Sequence, residues 1–83
     1  MTNDQHIFEA VREHLEGRGL DPNKITMEAE LLRDLDLDSL DTMELTLGME
    51  ERFEIEIPDA ELEELVTVGD AVGLIERMRT VPA

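Results

Sequence analysis

The residues best placed to do chemistry in this 83-residue chain are Ser39 and the carboxylates beside it. Ser39 opens an expected helix, where its hydroxyl stands near unpaired backbone N–H groups and the positive end of the helix dipole. A phosphate ester is physically reasonable at such a place. Asp38 and Asp41 oppose an added anion, so an enzyme modifying Ser39 needs a metal ion or cations to neutralise them. On composition alone the plainer role for Ser39 is helix capping. A serine nucleophile acting by itself needs an oriented general base and an oxyanion hole. The two histidines, His6 and His14, fall on the expected first helix among charges and read as surface residues. Autonomous acyl transfer is therefore not supported.

Other chemistries fail on residue type or spacing. Asp34-Leu35-Asp36-Leu37-Asp38 imitates the start of a calcium loop, but Ser39 stands where its glycine belongs and Leu45 where its bidentate Glu belongs. No dedicated metal site is expected, only loose divalent binding to an acidic surface. The absence of cysteine excludes disulfides, thiol nucleophiles and Cys-based zinc sites. No phosphate-cradling glycine motif and no H-E-x-x-H is present, and a paired-carboxylate hydrolase is not supported.

Charge narrows the partners. Asp and Glu number 22 against 7 Lys and Arg, a net charge of −15. Phosphate contacts need clustered cations, so an electrostatically driven nucleic-acid binder is excluded, as is a polybasic membrane-surface module. No apolar run is long enough to insert into a bilayer. The N-terminal residues lack signal-peptide character, and a cytoplasmic protein is expected. With 41 % apolar residues the chain can fold. A domain this small buries only about 60 % of its unfolded surface. Self-repulsion subtracts further, so stability should be modest and improved by salt.

The elements that must position Ser39 are helical. Ile7, Val11 and Leu15, widened by Phe8 and Ala10, predict a first helix over Asn3 to Glu16, capped by Thr2 or Asn3 and stopped at Gly17-Arg18-Gly19. Residues 20 to 37 read as a long loop with a short helical turn, with Leu31, Leu35 and Leu37 pinned to a core at intervals. A second helix is expected from Asp38-Ser39, with Asp38 as N-cap, to near Phe53. The alternating run Phe53 to Ile57 is a lone strand pattern without a partner and is taken as an extended connector. Asp59 is expected to cap a short helix carrying Leu62 and Leu65. Thr67-Val68-Gly69-Asp70 resembles a capping box for a last helix to about Arg79, with Val68, Ala71, Val72, Ile75 and Met78 on one face. The fold class is all-α: a four-helix bundle of three longer helices and one short one, with a long loop between the first and second.

The second helix has two apolar faces. Thr42, Leu45, Met49 and Phe53 gather on one side with Thr46 beside them, while Leu40, Met43 and Leu47 gather nearly opposite. Geometry alone fits a helix buried on both sides and an exposed strip equally well. From Asp34 to Glu64, however, there are 13 acids and one base, Arg52. Acids crowded around an apolar stripe are better explained as steering towards basic partners than as a solvated face. Leu40, Met43 and Leu47 with Asp41, Glu44 and Glu51 are thus the expected partner-docking set.

Three blocks carry a family resemblance: Asp38-Ser39-Leu40-Asp41-Thr42-Met43-Glu44-Leu45; Glu50-Glu51-Arg52-Phe53-Glu54-Ile55-Glu56-Ile57-Pro58-Asp59; and Thr67-Val68-Gly69-Asp70-Ala71-Val72. In this order, on an acidic chain of this length, the sequence resembles the acyl carrier protein family. The resemblance implies one carrier domain over residues 1–83 in which Ser39, beside Asp38, bears a 4′-phosphopantetheine installed from coenzyme A by a phosphopantetheinyl transferase. Its thiol would hold acyl groups as thioesters, supplying what a cysteine-free chain lacks. A non-enzymatic carrier is implied, presenting acyl groups to acyltransferases, ketosynthases and related enzymes of fatty-acid or polyketide biosynthesis with basic docking patches; the high net charge favours a monomer. The family also shelters acyl chains inside the bundle, and Thr46, Met49, Phe53, Ile57, Leu62 and Ala71 are the candidates to line that space. Asp36-Leu37 stands where the family often has a small pair such as Gly-Ala, Gly48 falls within the second helix, and Thr46 is polar where a fatty-acid carrier tends to be aliphatic. The alternative is an acidic interaction module without a prosthetic group.

Overall fold

The computed structural model describes residues 3–80. Four α-helices follow one another: α1 (Asn3–Gly17), α2 (Ser39–Phe53), α3 (Asp59–Leu62) and α4 (Val68–Thr80). No strand forms among the described residues, and no helix there is long and apolar enough to cross a membrane. The stripe Ile7, Val11 and Leu15 is fully buried, and α1 packs against α4 and, less extensively, against α2. From α4 the buried face is Val68, Ala71, Val72 and Ile75, joined by Leu74; from α2 it is Leu45, Thr46 and Met49. The cap expected at Thr2 or Asn3 and the closing Pro82 lie outside the described residues and side chains.

The end of α1 is set by glycine. Gly19 takes φ +96°, Leu20 N–H donates to Leu15 C=O at 3.1 Å and Gly19 N–H to Glu16 C=O at 2.9 Å. This paired pattern needs a left-handed residue at its turn, which glycine adopts without a Cβ penalty. It leaves Arg18 at the helix end, facing α2.

Between α1 and α2 the chain is irregular apart from a 3-10 turn at Pro22–Lys24, which Asp21 caps through Asn23 N–H at 2.9 Å. Ile25, Ala29, Leu31, Leu35 and Leu37 are buried while Met27 and Leu32 are exposed. The loop is therefore pinned at intervals, and the helical spacing of Met27, Leu31, Leu32 and Leu35 does not become a helix. Main-chain hydrogen bonds fix it to the α3–α4 junction: Leu31 N–H to Val66 C=O, Val68 N–H to Ala29 C=O and Gly69 N–H to Met27 C=O, all 2.8–2.9 Å. Asp36 sits at φ 57°. Asp tolerates this left-handed backbone better than most side chains do.

Two expectations at α3 are corrected. Pro58, not Asp59, occupies the N-cap, and it supplies no side-chain hydrogen bond; Asp59 is the first helical residue. The helix ends at Leu62, so Leu65 lies beyond it: Glu63 keeps a right-handed backbone, but Glu64 and Leu65 N–H donate three residues back, to Glu61 and Leu62 C=O at 3.2 and 3.3 Å, in a tighter turn. The segment between α2 and α3 is non-helical and unpaired, as a connector should be, after a left-handed Glu54 cap. Ile57 N–H is held by the Glu50 carboxylate at 2.9 Å.

Gly48 explains the close approach of α1 and α2. A Cβ built there would lie 2.9 Å from His14 Cε1 and 3.0 Å from His14 Nδ1. His14 is half-buried, and its Nε2 is enclosed without a hydrogen-bond partner, so it is not the surface residue expected. Helix propensity alone favours Gly48→Ala by about 1 kcal/mol, but overpacking costs about 1–3 kcal/mol. Gly48→Ala is expected to destabilise the wild type and to stabilise a His14→Ala background, giving a coupling of about 1–2 kcal/mol in a urea-denaturation cycle. Additive effects would show that the ring moves aside freely.

Burial of His14, followed by the Arg18 charge, lowers its pKa, while Glu44 across on α2 partly offsets this. The folded chain thus prefers the neutral ring, and the unfolded chain takes up a proton first as pH falls through about 6.5. This contribution destabilises the fold on acidification and vanishes above that range. Melting temperatures of wild type and His14→Gln between about pH 8 and 5.5 should show the steeper acid loss in the wild type; parallel curves would remove His14 from the account.

Candidate functional site

The head of α2 is built by two carboxylates that hold each other in place. Asp41 N–H donates to Asp38 Oδ1 at 2.9 Å, and Asp38 N–H donates to Asp41 Oδ2 at 3.3 Å, a reciprocal capping box. The hydrogen bond from the Asp41 backbone is the leading reason that Asp38 has its pKa below the usual carboxylate value. Asp38 is therefore a poor proton acceptor for its neighbour. Ser39 is the first helical residue, is exposed, and makes no side-chain hydrogen bond among the described residues. Capping falls to Asp38, and the Ser39 hydroxyl is left without a structural duty.

A cleft of about 600 Å³ opens beside Ser39. Its walls come from the long loop (Leu31, Leu32, Leu37), from the first turns of α2 (Ser39, Thr42) and from α3 and its exit (Leu62, Leu65, Val66). Glu30, Arg33 and Asp38 stand at its polar edge, with Arg33 Nη1 3.8 Å from Glu30. The loop wall is held by the main-chain bonds to Val66 and by Leu37 N–H donating to Leu31 C=O at 2.8 Å. On the other side Asp70 Oδ2 accepts from Val66 and Thr67 N–H while Thr67 Oγ1 accepts from Asp70 N–H, the capping box expected at α4.

Of the six cavity candidates, only Leu62 lines this cleft. Thr46, Met49, Ile57 and Ala71 are buried in the interior, Thr46 donating to Met43 C=O at 2.8 Å, and Phe53 is half-buried with the Arg79 guanidinium 4.9 Å from its ring centre. Those candidates follow from the resemblance, which implies a space inside the bundle, and four of them lie in that interior. Thr42, Leu31, Leu37, Leu65 and Val66 were not anticipated, because they come together only through the loop-to-junction pairing.

The opposite stripe of α2 is open: Leu40 is 64 % exposed, Met43 45 % and Leu47 53 %. Glu44 and Glu51 are exposed alongside, and Asp41 is half-buried. Arg18, missed in the sequence, reaches over from the end of α1 to Asp41 and Glu44.

Comparison with known proteins agrees in one direction. Residues 9–75 match the family model described as a phosphopantetheine attachment site. The chain is 44 % identical over 73 residues to the acyl carrier protein of Campylobacter concisus (strain 13826), covering 87 % of this chain and 95 % of that protein. It is 42 % identical over 78 residues to the acyl carrier protein of Akkermansia muciniphila, covering 93 % of this chain and 98 % of that one.

Proposed function

The chain belongs to the acyl carrier protein family, and from that premise we propose that Ser39 is the attachment residue for its prosthetic group. The protein is a carrier, not an enzyme, and the group is a covalent 4′-phosphopantetheine. When attached, it supplies a thiol that holds acyl groups as thioesters. The observation that carries the assignment is an exposed hydroxyl, free of internal hydrogen bonds, at the start of α2 and at the edge of a cleft.

The chain's own residues explain why loading needs another enzyme. Bond formation from Ser39 Oγ to phosphorus breaks the pyrophosphate bond of coenzyme A, releases the nucleotide and sends the serine proton to a base. Asp38 is spent on the capping box and held at a low pKa, so the transferase brings the base. Asp38 and Asp41 repel the incoming diphosphate, so a divalent cation accompanies it.

Docking is assigned to Leu40, Met43 and Leu47 with the carboxylates beside them. An apolar strip rimmed by charge suits brief contact with basic patches on the phosphopantetheinyl transferase, acyltransferases and ketosynthases of fatty-acid or polyketide biosynthesis. The cleft is assigned to the proximal part of the carried acyl chain, its volume falling within the usual range for small-molecule sites.

Incubation with a promiscuous phosphopantetheinyl transferase, coenzyme A and magnesium should add one phosphopantetheine mass, and tandem mass spectrometry should place it on Ser39. An unmodified chain, or an adduct on Thr42, would refute the assignment.

A further inference from the structure

The end of α1 holds Arg18 between two glycines and directs its guanidinium at the head of α2. Nη2 lies 2.5 Å from Asp41 Oδ1 and Nη1 2.6 Å from Glu44 Oε1. The other Asp41 oxygen already accepts Asp38 N–H, and Asp38 Oδ1 accepts Asp41 N–H. Asp38, Asp41 and Glu44 are thus all engaged by donors from within the chain. The face offered to a partner is less anionic than the residue count implies.

We propose that Arg18 is a built-in competitor for the docking carboxylates, which a partner displaces by inserting a cation of its own. The inference rests on the docking reading above and adds a selectivity to it. A guanidinium from the partner can take over both arms of the fork, whereas an ammonium offers a point charge and replaces the planar pair only in part. Arg18 therefore favours partners presenting arginine here over partners presenting lysine. Both sides of the contact are solvent-accessible, so the exchange is inexpensive and docking stays transient.

The experiment measures Ser39 loading by the phosphopantetheinyl transferase as kcat/KM, and transferase Kd by calorimetry, across ionic strength. It compares wild type, Arg18→Gln and Arg52→Gln. Arg52 pairs with Glu13 at 3.1 Å near the far end of α2, so its variant makes the same charge change away from Ser39. Arg18→Gln should raise kcat/KM about threefold or more at low salt and tighten Kd in parallel, Arg52→Gln should do less than half as much, and the gain should disappear at high salt. Equal gains in both variants, or no gain at Arg18→Gln, overturn the proposal. If Arg18→Gln melts below the assay temperature, Arg18→Lys takes its place, and its failure to exceed wild type overturns the proposal equally. Failure of the docking reading is separable: Glu44→Lys/Glu51→Lys would then leave loading unchanged, whereas slowed loading there with no gain at Arg18 sinks the competitor role alone.

Discussion

Ser39→Ala is expected to yield a chain that folds as the wild type does and accepts no phosphopantetheine. The separation follows from the geometry. Asp38, not Ser39, caps α2, and the Ser39 hydroxyl bonds to nothing among the described residues. Its removal from an exposed first-turn position should change stability by less than about 0.5 kcal/mol. Loading should fall below detection, because no other hydroxyl near the cleft is poised to replace it. Thr42 is half-buried and donates to Asp38 C=O at 3.0 Å, and Thr46 is buried with its hydroxyl bonded to Met43 C=O. Mass spectrometry and a thermal melt on one preparation decide the matter. A loaded Ser39→Ala protein would refute the assignment, and a melt lowered by more than a few degrees would refute the account of the cap.

The second large effect is expected from Glu44→Lys/Glu51→Lys. Both residues are exposed, and neither takes part in the capping box. Asp41 is unsuitable for this purpose, since its side chain closes the cap and its reversal would unravel the first turn as well as change charge. The double reversal raises the net charge by four units from −15. Electrostatic steering supplies about 10- to 1,000-fold in association rate, so loading should slow by about 10- to 100-fold at low salt. The deficit should shrink as salt shortens the screening length. The fold should survive with little change in melting temperature, because the fall in self-repulsion is offset at position 44 by loss of the exposed Arg18 pair and the meeting of two cations. Undiminished kcat/KM for loading would defeat the docking assignment.

Much of this arrangement was legible in the sequence because it is local. The stripes on α1 and α4, the Asp38 cap and the Thr67–Asp70 box depend on spacings of three or four residues, and those spacings are what a linear reading detects. Leu31, Leu35 and Leu37 were legible as anchors since nothing but burial explains apolar residues at such intervals among acids. The cleft was not legible. Its wall depends on Leu31 meeting Val66, a pairing of backbones 35 positions apart that leaves no side-chain pattern. Arg18 was hidden for a similar reason: its reach to Asp41 and Glu44 depends on how Gly19 turns the chain, not on the identity of its neighbours. Gly48 looked like a weak point in a helix until the His14 ring was seen lying against it.

The attachment of the long loop to the α3–α4 junction bears on how such a protein diversifies. Because Leu31, Val68 and Gly69 make that join through peptide groups, its integrity does not depend on which side chains hang from it. Leu32 and Val66, both exposed at the cleft, can then be exchanged for larger, smaller or more polar residues without dismantling the scaffold. On the proposed assignment of the cleft to the acyl chain, a lineage can retune cargo preference at these two positions by point mutation while inheriting the peptide join, and with it Leu31 and Leu37, which serve core and cleft alike, intact.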